Sequence, residues 1–168
     1  MHAYFKILGK LTKTGIRYGV VGLMGASFYG SDQTTYDLDI FVEPDEKTLS
    51  KVRALLKKEG LAEAAVCGGE LVKPSPTNRE IIDKKITLLF VDSGGLTIDV
   101  LTSVSGLDFK KLWKRHKPFV IDGQKIYAAS LEDIIMSKSK ANRTKDSLHL
   151  PRLRKLLKEK TAKSAQNS

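Results

Sequence analysis

Cysteine is almost absent from this sequence, since Cys67 is the only one among 168 residues. A single thiol excludes an intrachain disulfide and a cysteine-based metal cluster. No apolar run approaches the roughly 20 residues needed to cross a bilayer, and the first residues lack the apolar core of a signal peptide. We therefore expect a cytoplasmic protein that has no membrane partner.

The chain also lacks internal repeats and low-complexity blocks, and its hydrophobic fraction of 41% is ordinary for a globular protein. Its length fits one domain with a real core. We predict a single domain over residues 1–160, with a core at about 16–128 and a helical C-terminal part at 130–160. The polar residues 161–168 are predicted to form a disordered tail.

Acidic residues are scarce near the end of the chain. The net charge is +10, and from residue 136 onward ten basic residues stand against two acidic ones. This asymmetry suggests a polyanionic partner, with nucleic acid or nucleotide as the first candidates. The alternative is a solvated lysine-rich helix without such a partner.

One stretch, residues 20–42, organises the rest of the chain. It reads as a short apolar strand, a segment of small residues opened by Gly22, a polar loop, and a strand that carries Asp37 and Asp39. Side chains two residues apart in a strand share a face, so both carboxylates project together while Leu38 and Ile40 face the core. Mg²⁺ is normally held by one or two carboxylates plus substrate phosphates, and the glycines would let backbone approach those phosphates. The pattern suggests metal-assisted phosphoryl or nucleotidyl transfer.

A third acid, Asp99, lies in the otherwise apolar strand 96–101. An aspartate in such surroundings is costly unless it is paired or bound to a metal. If this strand neighbours the one with Asp37 and Asp39, three carboxylates meet in one place. Two metal ions could then be held, and Asp99 could serve as the general base.

Hydrophobic periodicity and turn signals predict a mixture of helices and strands, an α+β (α/β) fold with a mixed twisted sheet flanked by helices. The predicted helices are 3–14, 22–29, 46–58, 109–115, 130–140, 145–150 and 151–160, the last beginning at Pro151. The predicted strands are 17–21, 36–43, two weak strands within 61–72, 81–90, 96–101, 119–121 and 125–128.

These residues carry a resemblance to the nucleotidyltransferase superfamily that includes DNA polymerase beta, and more narrowly to its small abortive-infection toxin-type members. The resemblance covers roughly residues 16–157. The matching positions are Gly22, Gly25, Tyr29-Gly30, Thr35, Asp37-Leu38-Asp39, Ile98-Asp99-Val100-Leu101, the run 130–135, Lys138, Arg143 and Lys145-Asp146.

The resemblance implies a nucleotidyltransferase fold with a C-terminal helical segment, and a site for a nucleoside triphosphate and Mg²⁺ or Mn²⁺. It implies that Asp37, Asp39 and Asp99 are the metal-binding and catalytic residues, with Asp99 activating an acceptor hydroxyl. It further implies nucleotide contacts from Gly22, Gly25, Ser27 and Lys138. Lys145 and Asp146 could form a structural pair between the C-terminal helices.

Two positions depart from the family pattern: Leu23 replaces a glycine, and Gln33 replaces an arginine. Three functions stay open. The first is transfer of a nucleoside monophosphate to RNA, of the tRNA kind, with an antitoxin as a further partner. The second is transfer to a small hydroxylated molecule such as an antibiotic. The third is a catalytically degenerate nucleotide- or RNA-binding protein, which the two departures would favour.

Overall fold

A computed structural model of the chain describes residues 2–33 and 35–166. The strands within these residues are β1 Tyr18–Val20, β2 Asp37–Val42, β3 Ala62–Cys67, β4 Glu70–Leu71, β5 Thr87–Val91, β6 Thr97–Leu101, β7 Lys117–Ile121 and β8 Gln124–Ala128. The helices are α1 His2–Lys13, α2 Gly22–Ser27, α3 Glu46–Lys58, α4 Asn78–Asp83, α5 Phe109–Arg115, α6 Leu131–Ala141 and α7 Thr144–Gln166. None of the helices described is long and apolar enough to cross a membrane.

The eight strands form one mixed sheet in the order β4-β3-β5-β6-β2-β1-β8-β7. Its centre is the parallel pair β2–β6, with β5 antiparallel to β6 and β1 antiparallel to β2. This arrangement confirms the predicted α+β class with a mixed sheet. It also makes the strands of Asp39 and Asp99 neighbours, which the sequence could give only as a condition.

Each face of the sheet packs against its own helices. On the first face, apolar residues of α1 and α3 cover inward-facing residues of β2, β5 and β6. Leu38, Ile40, Leu88, Ile98 and Val100 are all fully buried there. On the second face, residues of α2, α5, α6 and α7 form a smaller cluster around Phe41 of β2.

Residues 77–90 differ from the prediction of a single strand over 81–90. Thr77 and Glu80 form a capping box, in which each side chain accepts from the other residue's backbone N–H, and α4 begins there. Ile81 lies in this helix and is buried, and β5 begins only at Thr87. The Thr-x-x-Glu signal was present in the sequence, but the apolar run after it favoured a strand.

The C-terminal part also differs from the prediction. Residues 144–166 form one helix that contains Pro151, where the sequence predicted a break and a new start. Proline removes one backbone donor from a helix interior, and here it lies on the exposed side of α7. The helix continues to Gln166, beyond the predicted end near 160, and residues 167–168 lie outside the described part of the chain.

Residues 61–82 complete the sheet and are held by Arg53 of α3. Its guanidinium donates to Glu63 Oε2 at 3.0 Å, to Glu63 Oε1 at 2.5 Å and to Asn78 Oδ1 at 2.7 Å. Burial raises the pKa of Glu63, but hydrogen bonds from Arg53 and Lys57 outweigh it and hold that pKa below its ordinary value. The resulting stability is present at neutral pH and is lost as the pH falls through the lowered pKa.

Replacing Arg53 by Met should lower the free energy of unfolding by about 2–3 kcal/mol, because the Glu63 carboxylate would lose its main partner in a buried position. Urea denaturation at pH 7 measures this change. The matched control is Arg79→Met, which removes an exposed ion pair with Asp83 and should change stability by less than about 0.5 kcal/mol. Equal effects of the two variants would contradict the bracing role of Arg53.

Candidate active site

Asp37, Asp39 and Asp99 line one open cavity of about 360 Å³ on the second face of the sheet. The turn before α2, the loop after β6 and the α6–α7 junction form its walls. The other lining residues are Val21, Gly22, Leu23, Thr35, Thr87, Leu101, Ser103, Val104, Ser105, Ser137, Lys138, Ala141, Arg143, Asp146 and His149.

Strand geometry brings the acids together. Asp39 lies directly opposite Asp99 in the parallel β2–β6 ladder, and Asp37 lies opposite Thr97. Because alternate residues Leu38, Ile40 and Val100 are fully buried on the first face, the aspartates must point to the second face. The structure therefore places all three acids on one face of the sheet, in the lining of one cavity.

Asp99 carries an electrostatic cost in this position. Its half-buried side chain is desolvated and also feels the negative charge of Asp37, and both effects raise the pKa of its carboxyl. A cation close to Asp99 would oppose both effects, because it stabilises the charged carboxylate.

Gly22 lets the backbone of the turn approach Asp39. It has a φ of +65°, and a Cβ built on it would lie 2.3 Å from Asp39 Oδ2. The Val21 N–H also donates to the Asp39 carbonyl at 3.0 Å. Any larger residue would have to displace the carboxylate, so glycine is required here for close approach as well as for backbone conformation.

Lys138 places a cation in the same cavity. Its Nζ lies 2.9 Å from Asp146 Oδ1, with side-chain exposures of 12% and 4%. Lys138 comes from α6 and Asp146 from the first turn of α7, and Asn142, with a φ of +47°, makes the left-handed turn between them. The ion pair holds the ammonium group at the cavity wall.

Asp146 is a site residue that the sequence argument assigned to a different partner. The motif Lys145-Asp146 suggested a structural pair between those two residues, whereas the structure pairs Asp146 with Lys138. The side chain of Lys145 lies outside the described side chains. The available signal was that Asp146 is one of only two acids in a strongly basic segment.

Gly25 and Ser27 were expected to touch phosphates, but neither lines the cavity. Gly25 is buried, and a Cβ there would lie 2.7 Å from the Val20 carbonyl oxygen and 3.1 Å from Ile134 Cδ1. The Ser27 hydroxyl donates to the Met24 carbonyl at 2.7 Å. Both residues therefore serve the packing of α2 in this structure, and Gly22 and Lys138 are the predicted nucleotide contacts that the cavity retains.

Gln33, the position where the family pattern has arginine, also lies away from the cavity lining. Its side chain is 9% exposed, and its Oε1 has no hydrogen-bond partner among the described residues. The substitution therefore leaves the three acids and Lys138 in place.

The acids suit a divalent cation that is completed by substrate. Among residues 2–33 and 35–166, no three His, Cys, Asp or Glu side chains form a ready-made metal site. Mg²⁺, however, is commonly bound by one or two carboxylates together with substrate phosphates. The carboxylate-only donor set and the raised pKa of Asp99 fit such a hard cation.

Over residues 1–167 the chain matches the protein family described as nucleotidyl transferase of unknown function (DUF2204). The chain belongs to this nucleotidyltransferase family. No curated protein matches it.

Solved structures share the fold of this nucleotidyltransferase. The lincosamide antibiotic adenylyltransferase LnuA, in its lincomycin-bound form, is 16% identical with a TM-score of 0.59, and the match covers 91% of this chain and 95% of that chain. A protein from Thermotoga maritima described as a nucleotidyltransferase is 17% identical with a TM-score of 0.63, covering 94% of this chain and 92% of that chain. The expected nucleotidyltransferase fold and enzyme class are thereby confirmed.

Replacing Gly22 by Ala should displace the Asp39 carboxylate and prevent binding of ATP with Mg²⁺. The measurement is thermal stabilisation of the protein by ATP and Mg²⁺ together. Gly15→Ala is the matched control, because Gly15 has a similar φ of +71° but nothing within 4 Å of a built Cβ. Both variants should lose about 1–2 kcal/mol of stability through backbone strain, and only Gly22→Ala should lose the response to ATP. Retained response in Gly22→Ala would contradict this role.

Proposed function

We propose that this nucleotidyltransferase transfers a nucleoside monophosphate from a nucleoside triphosphate to a hydroxyl group, with Mg²⁺ or Mn²⁺ held by Asp37, Asp39 and Asp99. The observation that carries the proposal is the register of β2 and β6, which places Asp39 opposite Asp99 in a cavity that also contains Lys138. When bound, the metal ion would supply Lewis-acid stabilisation of charge on the phosphoryl oxygens.

Asp99 receives the proton of the acceptor hydroxyl in this reaction. The hydroxyl oxygen forms a bond to the α-phosphorus, the bond from that phosphorus to the bridging oxygen of the β-phosphate breaks, and pyrophosphate leaves with the electron pair. Among the three acids, Asp99 is the one whose strand, β6, pairs with β5. It therefore lies at the edge of the acid group, where an acceptor can approach it, and this position suits it to the proton transfer. Asp37 and Asp39 would hold the metal ion, which would offset negative charge on the triphosphate.

Lys138 stabilises the negative charge on the triphosphate and on the departing pyrophosphate. A flexible lysine would lose side-chain entropy on binding. The ion pair with Asp146 fixes the ammonium group beforehand, and Asp146 therefore acts as a positioning residue. Gly22 allows the backbone of the turn to come close to the phosphates.

The identity of the acceptor substrate is a separate part of the proposal. An RNA of the tRNA kind, as in toxin-type enzymes that work against an antitoxin, is supported by the basic C-terminal segment. Of its cations, Lys138 and Arg143 line the cavity, whereas Arg152 and Lys155 line a second cavity with residues 30–32. All three acids share the cavity and Gln33 does not border it, which argues against a degenerate, inactive protein, whereas the other departure, Leu23, does line the cavity.

Replacing Asp39 or Asp99 by Asn should abolish nucleotide transfer, with a loss of at least about 10³-fold. The assay follows pyrophosphate release and label transfer from each of four labelled nucleoside triphosphates with Mg²⁺, in the presence of bulk tRNA, of small hydroxylated compounds or of no acceptor. Asp83→Asn, on the exposed surface of α4, is the matched control and should keep full activity.

The same variants test whether the acids serve function at the expense of stability. Asp99→Asn removes one of the repelling carboxylates, so its melting temperature without ligand should equal or exceed that of the wild type. Mg²⁺ with ATP should raise the melting temperature of the wild type and of Asp83→Asn only. A destabilised Asp99→Asn protein that still responds to Mg²⁺ with ATP would sink the metal-binding role.

Replacing Lys138 by Met should weaken binding of ATP with Mg²⁺ by about tenfold or more, since one close charge interaction is lost. Asp146→Asn should have a smaller effect on affinity and a larger effect on kcat, because the ammonium group stays but loses its fixed position. Titration of a fluorescent ATP analogue and steady-state kinetics separate the two. Lys140→Met, on an exposed turn of α6, is the control and should behave as the wild type.

A further inference from the structure

Beyond the acids, the second face of the sheet continues as an apolar surface made by β3 and β5, here termed the open face. In β5, Leu89 lies directly opposite Asp99 of β6, and Ala64 of β3 lies opposite Leu89. The row Asp39, Asp99, Leu89 and Ala64 therefore crosses four adjacent strands on one side of the sheet. The open face consists of Ala62, Ala64, Val66, Thr87, Leu89 and Val91.

No helix of the described chain packs on the open face, whereas helices cover the second face over β2. The core cluster on the second face includes Phe41 of β2 and reaches Leu101 of β6, but it contains no described residue of β3 or β5. The residues of the open face are half-buried, apart from the exposed Ala62. Their neighbours in sequence, such as Leu88 and Phe90, are by contrast fully buried on the first face. An apolar sheet surface of this kind marks a binding site when it adjoins functional groups.

The open face is continuous with the proposed active site. Thr87 belongs to the open face and also lines the cavity. Leu101, which lies beside Thr87 in the neighbouring strand β6, lines the cavity as well. Since adjacent strands lie about 4.8 Å apart, the surface extends roughly 10 Å from Asp99 to Ala64. It begins at Asp99, the residue to which the proposed function assigns the acceptor hydroxyl.

Charge separates the two sides of the site. The open face carries no ionisable side chain, and the nearest charges along its rows are the carboxylates of Asp37 and Asp99. The cations that line the cavity, Lys138 and Arg143, come from α6 and the α6–α7 junction. A polyanion bound to the six residues of the open face would find no cation among them and would meet the carboxylates at their edge.

We propose that the open face binds the acceptor, and that the acceptor is a small amphipathic molecule with an uncharged or cationic apolar body and a hydroxyl group directed at Asp99. This inference depends on the proposed nucleotidyl transfer, because that reaction places the hydroxyl at Asp99. The apolar body lies over Leu89 and Ala64. Contact with these side chains supplies affinity through burial of apolar surface, and Thr87 offers a hydrogen bond to a polar group near the hydroxyl.

The test compares n-octyl β-glucoside, below its micelle concentration, with methyl β-glucoside, which has the same hydroxyls and no apolar body. Bulk tRNA is the third probe. Methyl NMR of the protein labelled at Ala, Leu and Val is recorded with Mg²⁺ and a non-hydrolysable ATP analogue. Label transfer from ATP and the other nucleoside triphosphates is measured in parallel.

Octyl glucoside should shift the methyl signals of Ala64, Leu89 and Val91 saturably, and its apparent affinity should exceed that of methyl glucoside by at least about tenfold. Leu89→Gln should weaken the response to octyl glucoside about tenfold and leave binding of the ATP analogue with Mg²⁺ unchanged. Val120→Gln is the matched control, since Val120 is 77% exposed on β7, at the opposite end of the sheet, and it should change neither measurement.

Several results would overturn the inference: equal responses to the two glucosides, no saturable methyl shift on the open face, or methyl shifts and label transfer with tRNA alone. Failure of the proposed function is a separate result. In that case no nucleoside triphosphate gives pyrophosphate with any acceptor and Mg²⁺ does not promote ATP binding. The methyl shifts still decide whether the open face binds amphipathic molecules.

Discussion

The parallel pairing of β2 with β6 is the constraint on which the rest of the site depends. It sets Asp39 directly opposite Asp99, an arrangement of like charges that opposes folding. The pairing is stabilised from the other side of the same strands, where Leu38, Ile40, Ile98 and Val100 are fully buried. Because the side-chain period of a strand is two, burying these four residues leaves the carboxylates no other face. Burial of these apolar side chains therefore stabilises the strand pairing against the repulsion between the carboxylates.

The surrounding residues adapt to that fixed negative charge. The turn at Gly22 comes so close to Asp39 that a methyl group would not fit, and the acids are thus enclosed on one side by backbone. On another side, Lys138 faces the cavity but is already paired with Asp146. Asp146 thereby offsets the charge of Lys138 at the cavity wall. The carboxylate oxygens of Asp37, Asp39 and Asp99 suit a hard metal ion of the kind that binds together with substrate phosphates.

Local pattern was enough to predict the acids and several elements, whereas long-range pairing was not. Asp37 and Asp39 share a face by strand periodicity alone. Helix α3 occupies residues 46–58, as predicted, and the Asp45 side chain accepts from the Thr48 N–H at its N-terminus. The neighbourhood of β2 and β6 could only be stated as a condition, because three strands and two helices separate them in sequence. The Lys138–Asp146 pair depends on the left-handed turn at Asn142, which the sequence did not reveal. Gly25 was assigned to phosphates through the family resemblance, but the position of α2 directs it toward Val20 and Ile134.

The sheet is asymmetric in a way that fits a reaction with two unlike substrates. Over β1 and β2, helices α2 and α6 cover the second face and contribute small residues and Lys138, which suit phosphates. Over β5 and β3 the same face is apolar and half-buried, with no helix of the described chain packed on it, which suits a substrate body without negative charge. The boundary between the halves runs along β6, and Asp99 lies on it. In the proposed reaction the two substrates meet at Asp99, and the strand that carries Asp99 also separates the polar half of the sheet from the apolar half. The high net charge of the chain is compatible with an uncharged acceptor substrate, because the cavity-lining cations lie on the proposed nucleotide side of this boundary.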